Sequence, residues 1–228
     1  MTMLLLHGAL GARHDLDALG AMVSRRRPVL AVEFEGHGTT PARERAFTLH
    51  GFVENAVAAL DSAGLEKVDV FGYSMGGYVA LALALAHPSR VSTITTLGTR
   101  FAWDAESAAR AAAGLDADTL RDKAPELVHT LARRHEAAGG WEAVASRTAA
   151  FITTLGVQPP LGHAELARIH HRVRIMVGDR DRVVSVEESA EAFRHLPAGE
   201  LMVLPRTPHP LEQVDVYRLA DVLIELTS

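Results

Sequence analysis

The sequence contains no cysteine and few aromatic residues. Without cysteine the chain has no disulfides, no thiolate metal ligands and no cysteine nucleophile. Positive charge is also scarce, since 23 lysines and arginines stand against 28 acidic residues, which gives a formal charge of −5 at pH 7. A nucleic-acid-binding surface needs an excess of basic residues, so we expect no nucleic-acid partner.

Long hydrophobic runs are absent as well. The longest apolar run covers residues 78–86, which is far short of the roughly 20 residues that span a bilayer. The opening MTMLLLHGALGA has no basic segment, and His7 and Gly8 interrupt its apolar run. We therefore interpret it as a strand and not as a signal peptide, and we expect a cytoplasmic protein without a membrane partner.

The pattern that is present is an alternation of apolar, β-branched segments with amphipathic ones. This alternation is typical of a mainly parallel sheet with helices on both faces. Strands are predicted at residues 3–7, 28–34, 68–71, 91–97, 173–177 and 201–204. Helices are predicted at residues 15–24, 49–63, 75–87, 186–196 and 211–226. The sequence thus predicts an α/β fold with about six strands.

Between residues 100 and 171 the alternation fails. This segment is rich in Ala, Leu, Arg and Glu, and glycines and prolines divide it into three or four predicted helices. A helical insertion between two strands of a parallel sheet lies over the carboxyl edge of the sheet, where such folds bind ligands. We therefore predict a core of residues 1–99 and 172–228 that carries a helical cap of residues 100–171.

The stretch FGYSMGG is the strongest candidate for a catalytic motif. Ser74 stands between Gly72 and Gly76, after an apolar strand and before an Ala/Leu-rich helix. A strand that turns directly into a helix strains the residue at the turn, and small neighbours make room for the turn. The helix N-terminus adds free N–H groups beside the hydroxyl, which favours a nucleophilic role for Ser74.

A nucleophilic serine needs a base, and the base needs an acid that orients it. His209 is the histidine that directly follows the last predicted strand, and Asp181 follows the strand at 173–177. The chain order Ser, Asp, His is the order found in proteins with this strand–turn–helix motif. Asp179 and Asp104 remain alternatives for the acid.

Further candidate site residues come from the loop after the first strand, from the position after Ser74 and from the insertion. Two backbone N–H groups must bind the oxyanion, and we expect them from Ala9 and from Met75. Substrate-pocket residues are predicted at Leu10, Arg100 and Trp103, and further pocket walls at Phe101, Trp141 and Phe151. His7 is expected to support the first loop.

We interpret most other histidines as surface residues, with a role in the pocket as the alternative for one of them. That group comprises His129, His135, His163, His170 and His171. No pair among them has metal-binding spacing, so we expect no metal site and no cofactor.

Five segments together resemble the α/β-hydrolase superfamily, in its capped group of small esterases, lactonases and carbon–carbon bond hydrolases. They are LLLHGALG, VEFEGHG, GYSMGG, GDRDRVV and TPHPLEQV. The resemblance implies that Ser74 is the nucleophile, Asp181 the acid and His209 the base, with Ala9 and Met75 at the oxyanion positions. Family members usually begin with two further strands that form a hairpin. We expect these N-terminal hairpin strands to be missing here, which leaves one edge of the sheet exposed. We expect the protein to be a monomer or a homodimer.

The resemblance predicts hydrolysis of a carboxylic ester, or of a related small acyl compound, through an acyl-enzyme. Lactonase or carbon–carbon bond hydrolase activity is an alternative, as is a lyase of the kind found in menaquinone synthesis, because specificity depends on the cap. A ligand receptor with little turnover is a further alternative on the same fold.

Overall fold

The computed structural model describes residues 1–225 and contains one sheet of six parallel strands. In chain order they are β1 Met3–Leu6, β2 Val29–Val32, β3 Val68–Tyr73, β4 Val91–Leu97, β5 Arg172–Gly178 and β6 Gly199–Leu204. Their order across the sheet is β2-β1-β3-β4-β5-β6. The predicted α/β class and the predicted number of strands are confirmed.

Helices cover both faces of this sheet. They are α1 Asp17–Val23, α2 Leu49–Ser62, α3 Met75–Ala86, α9 Val186–Arg194 and α10 Val216–Glu225, with α4–α8 lying between β4 and β5. Helices α1 and α10 share one buried apolar cluster with the strands. Helices α2, α3 and α9 share a second buried apolar cluster with the strands. The strands are apolar on both faces because both faces are covered, as is usual in parallel sheets.

Helices α4–α8 are Ala105–Ala113, Ala117–Lys123, Pro125–Arg134, Trp141–Val157 and His163–Leu166. The prediction of three or four helices here was too low, since the structure has five in this segment. The additional break lies before Pro125, which occupies the first turn of α6, the position at which a proline is tolerated in a helix. The division into a core and a cap stays a prediction.

The C-terminal helix begins later than its pattern predicted. Leu211–Gln213 forms a single 3-10 turn, and α10 begins only at Val216. Asp215 explains the break, because its Oδ1 accepts hydrogen bonds from the N–H groups of Tyr217 (3.0 Å) and Arg218 (3.1 Å). The predicted end at residue 226 lies outside the described residues.

The parallel register brings the carboxyl ends of the strands to one edge of the sheet. Leu6 of β1 is paired with Gly72 of β3, and Tyr73 is paired with Leu97 of β4. At the far side Gly178 of β5 is paired with Leu204 of β6. The loops that follow β1, β3, β4, β5 and β6 therefore open on a common edge. Within residues 1–225 no helix is long and apolar enough to cross a membrane.

Candidate active site

Ser74 occupies a strained turn between β3 and α3. Its φ is 51° and its ψ is −117°, a conformation that non-glycine residues adopt rarely. Two hydrogen bonds hold it in place. The Ser74 N–H donates to Leu97 O at 2.8 Å, and the Thr99 hydroxyl donates to Ser74 O at 2.9 Å. The surrounding structure thus fixes the serine at the start of α3.

The two glycines of the motif are required by close packing of the backbone. A Cβ added to Gly72 would overlap the backbone of Gly76 and Gly77, and one added to Gly76 would overlap the carbonyl group of Leu6. Only hydrogen fits at either position, so helix α3 can lie close to β1 and β3. This is the physical reason for the small residues on both sides of Ser74.

His209 lies in the loop after β6 and is hydrogen-bonded to Asp181. His209 Nδ1 and Asp181 Oδ2 are 2.7 Å apart. The other carboxylate oxygen, Oδ1, accepts from the N–H groups of Val183 (2.8 Å) and Val184 (2.9 Å). With all these donors in place, the carboxylate is held as an acceptor for Nδ1–H, which leaves Nε2 of His209 free to accept a proton.

The other two candidate acids have different partners. Asp179 accepts a hydrogen bond from Thr207 N at 3.3 Å and so links the loops after β5 and β6. Asp104 is the N-cap of α4, where its Oδ1 accepts from Ser107 N at 2.7 Å. Of the three carboxylates, it is Asp181 that contacts His209.

The pKa of Asp181 lies below its ordinary value. Burial alone favours the neutral acid and would raise this pKa, but the hydrogen bond from His209 and the amides of Val184 and Val183 favour the carboxylate and outweigh burial. Asp181 is therefore ionised at neutral pH, as an acid that orients an imidazole must be.

Two further residues lie beside this pair, and neither was predicted from the sequence. The Tyr73 hydroxyl donates to His209 O at 2.9 Å, and its ring centroid lies 5.5 Å from that of His209. Gly98, which follows β4, has a φ of 60°, and a Cβ there would lie 3.2 Å from atoms of both Asp181 and His209. The only sequence signal was position, since Tyr73 precedes the serine and Gly98 follows a strand.

The loop after β1 is held by His7. His7 Nδ1 lies 2.8 Å from Gly8 O, and His7 Nε2 accepts from Phe34 N at 3.2 Å. Since Nε2 accepts, Nδ1 carries the proton and the ring is neutral. Burial lowers the pKa of His7 to about 3, in agreement with that tautomer.

Most of the predicted site residues border a single cavity of about 480 Å³. Its lining includes the predicted residues Ala9, Ser74, Met75, Arg100, Trp103, Phe151 and His209. Leu10 is not part of this lining, because its side chain packs with Leu131 and Trp141 in a separate apolar cluster. Trp141 therefore belongs to that cluster, and Phe101 belongs to the main core.

The cavity brings a hydroxyl, an imidazole and two free amides together. Within residues 1–225 the N–H groups of Ala9 and Met75 donate to no other residue. The Ser74 hydroxyl and the His209 imidazole both border the cavity, although no hydrogen bond joins them among the described residues. Such bonds are often loose before substrate binds. The arrangement can support nucleophilic attack on a carbonyl group.

One histidine that was predicted at the surface is buried. His135 follows α6 and is fully inaccessible. Its Nδ1 accepts from Gly38 N at 2.9 Å, and its Nε2 lies 3.0 Å from Leu10 O. His135 thus links α6 to the loops after β1 and β2. The surface prediction was wrong because these partners are about a hundred residues away in the chain.

Three side chains that could act as metal ligands lie close together outside the cavity. The ligand atoms of His163, Glu191 and His195 are within 4.8 Å of one another among the described residues. The two imidazole rings are stacked at 3.8 Å, and Glu191 also accepts from Arg194 at 2.9 Å. Because Arg194 and His195 already share this carboxylate, we assign no ion to the cluster.

The sequence matches a family model described as alpha/beta hydrolase fold over residues 2–138, which is more than half of the chain. This match covers β1 to the end of α6 and includes the Ser74 turn.

Two curated proteins illustrate the relatives. The chain is 27% identical over 226 residues to the pimeloyl-[acyl-carrier protein] methyl ester esterase of Neisseria meningitidis serogroup C, covering 90% of this chain and 85% of that protein. It is 36% identical over 100 residues to the 2-hydroxymuconate semialdehyde hydrolase of Pseudomonas putida, covering 42% of this chain and 35% of that protein. Both relatives are hydrolases by name.

Solved structures of the same fold also match. The meta-cleavage product hydrolase of Pseudomonas fluorescens IP01 superposes with a TM-score of 0.81, covering 100% of this chain and 90% of that one, at 19% identity. At this level of identity the likeness establishes the fold.

Proposed function

This chain belongs to the α/β-hydrolase fold family and is a hydrolase, and on that premise we propose that it cleaves carboxylic esters through Ser74, His209 and Asp181. The observation that carries the proposal is the 2.7 Å contact between His209 and Asp181 beside a cavity that Ser74 also borders. These three groups supply the nucleophile, the base and the orienting acid.

The proposed reaction has two halves. His209 Nε2 takes the proton of the Ser74 hydroxyl while Ser74 Oγ attacks the ester carbonyl, and Asp181 stabilises the imidazolium that forms. The N–H groups of Ala9 and Met75 bind the oxyanion. His209 then protonates the leaving alcohol, and a water molecule, activated by the same imidazole, releases the acid from the acyl-enzyme.

A methyl ester esterase that aligns over most of both chains favours an ester over other acyl compounds as the substrate. Carbon–carbon bond hydrolysis is the second candidate, because a 2-hydroxymuconate semialdehyde hydrolase also matches. We also propose that residues 100–171 act as a cap, since Trp103, Phe151 and other residues of this segment border the cavity.

Labelling with a fluorophosphonate, read by intact mass and peptide mapping, tests this proposal. We expect one adduct on Ser74 and none in Ser74→Ala, and much slower labelling in His209→Ala because the base is lost. Ser107 is an internal control, since it borders the same cavity but does not stand at the strained turn, and its hydroxyl is hydrogen-bonded to Asp104. An adduct on Ser107, or ester hydrolysis that survives in Ser74→Ala, would contradict the mechanism.

A further inference from the structure

The cavity that holds Ser74 and His209 has an unusual charge. Three arginines border it, Arg100, Arg110 and Arg182, and no aspartate or glutamate is part of its lining. The chain as a whole carries a formal charge of −5 at pH 7. Positive charge is therefore concentrated at the one cavity that also contains the nucleophile, and a cleft of one sign raises the local concentration of ligands of the opposite sign.

Arg100 is the arginine that the structure holds most firmly. Its Nη2 donates to Val183 O, and its guanidinium carbon lies 5.3 Å from the ring centroid of Trp103. These contacts orient the planar group in the cavity wall. Its Nε is buried and has no acceptor among the described residues. Of the guanidinium nitrogens, Nη2 is the one with an acceptor among the described residues, so the group retains donor capacity for a ligand at the cavity wall.

The other two arginines are more exposed and more loosely held. Arg110 belongs to α4, and its Nη2 lies 3.4 Å from Glu106, a neighbour one turn away with both side chains largely exposed. Such exposed pairs contribute little energy, so Arg110 remains available to a ligand. Arg182 is exposed and forms no ion pair within residues 1–225. These two can attract an anion that Arg100 then binds.

We propose that the substrate carries a carboxylate in addition to the ester, and that Arg100 binds it. This inference rests on the proposed ester hydrolysis and narrows its substrate to monoesters of dicarboxylic acids. The methylene chain of such a compound packs on the apolar part of the lining, which includes Tyr78, Phe151 and Leu155. The forked guanidinium matches a carboxylate in geometry as well as in charge.

A matched pair of substrates tests the proposal. Monomethyl adipate carries the carboxylate, and the methyl ester of adipic acid monoamide has the same shape without the charge. We expect kcat/KM for the acid to exceed that for the amide by about tenfold or more, since hydrogen bonds to a charged group contribute about that factor. The preference should weaken as the salt concentration rises from about 50 mM to about 500 mM.

Substitutions of arginine test whether Arg100 is responsible for the preference for the acid over the amide. Arg100→Gln should reduce the acid-to-amide ratio towards one, mainly through a higher KM for the acid, because the carboxylate is bound equally in the ground and transition states. Arg100→Lys keeps the charge but loses the fork, so an intermediate ratio is expected. Arg133→Gln is the control, since Arg133 is exposed on α6 and is not part of the lining. It should leave the ratio unchanged.

A ratio near one in the unmodified protein, or a ratio that Arg100→Gln leaves intact, would overturn the carboxylate site while leaving ester hydrolysis in place. If neither ester is hydrolysed, fluorophosphonate labelling of Ser74 tests the proposed function separately, and calorimetry still decides the inference. Ser74→Ala should bind monomethyl adipate at least about tenfold more tightly than the amide ester. Equal binding of the two would overturn it independently of turnover.

Discussion

At the scale of a single residue, Gly98 limits the space around the His209–Asp181 pair. Its φ of 60° is unfavourable for any side chain, and an added Cβ would lie 3.2 Å from Asp181 Oδ2 and from His209 Nδ1. That contact is tighter than usual, so the imidazole or the carboxylate must move by a few tenths of an ångström. Misplacement of a catalytic group lowers the rate steeply.

We therefore expect Gly98→Ala to lower kcat/KM by about tenfold to a hundredfold. Gly64→Ala is the matched control, because Gly64 has a similar φ of 64° and nothing within 4 Å of an added Cβ. Both changes should cost about 1 kcal/mol of stability through the backbone conformation, but only Gly98→Ala should lose activity. Steady-state kinetics and thermal melts on both variants separate the two effects, and equal activity in the two would contradict the packing argument.

Some residues of the candidate site could be predicted from the sequence, and others could not. Ser74, Asp181 and His209 were predicted as site residues because each follows a strand that its own apolar pattern identifies. Tyr73, Gly98 and His135 were missed because their partners come from distant segments. His135 contacts Leu10 across 125 positions of the chain, and Tyr73 contacts His209 across 136. No local pattern encodes a contact of that separation.

At the scale of elements, the end of α6 holds the loop after β1. Leu10 O lies 2.9 Å from Arg134 Nη1 and 3.0 Å from His135 Nε2. Arg134 also forms an ion pair with Asp15, which lies in the 3-10 turn Arg13–Leu16 that follows this loop. Leu10 itself has a φ of 54°, a strained conformation for a side chain of this size. The contacts from α6 offset that strain, and the neighbour of Leu10 is the proposed oxyanion residue Ala9.

We expect Arg134→Gln to lower kcat by about tenfold with a smaller change in KM, because a displaced Ala9 N–H weakens oxyanion binding in the transition state. Arg133→Gln, one residue earlier and exposed, provides the control. The rate of fluorophosphonate labelling should fall in parallel with kcat. A change confined to KM would mean that Arg134 contacts substrate and does not position the loop.

The helix boundaries within residues 100–171 were predicted only in part. Glycines at 114, 139 and 140 mark helix breaks in both the pattern and the structure. The break at Pro125 was not anticipated, and this is where α6 begins. The end of α6 makes tertiary contacts through Arg134 and His135 with the distant loop after β1, and a local pattern does not encode such contacts.

At the scale of the whole molecule, three buried histidines connect the two loops and α6. The ring centroid of His37 lies 5.2 Å from that of His7 and 5.9 Å from that of His135. Burial lowers the pKa of His7 and of His37 to about 3 each, and burial lowers that of His135 as well. All three are therefore neutral in the folded protein at pH values where they are protonated in the unfolded chain.

The sign of the pH effect follows from this difference. Below the unfolded pKa of about 6.5, the unfolded state binds protons that the folded state does not, so stability falls as the pH falls. Between about pH 7.5 and about pH 5, His7 and His37 should each remove about 2 kcal/mol from the free energy of unfolding. Urea unfolding at the two pH values measures this loss.

His37→Phe tests the origin of the effect. The ring of His37 packs among Phe47 at 5.3 Å and Phe52 at 5.9 Å, so the surroundings suit an aromatic ring, and a phenyl group loses only the 3.1 Å contact with Glu35 O. This variant should be less sensitive to acid by about 2 kcal/mol, whereas replacement of the exposed His129 by Gln should leave the sensitivity unchanged. If His37→Phe unfolds with the same pH dependence as the unmodified protein, His37 does not contribute to its acid sensitivity. The loss must then come from groups that titrate elsewhere in the molecule.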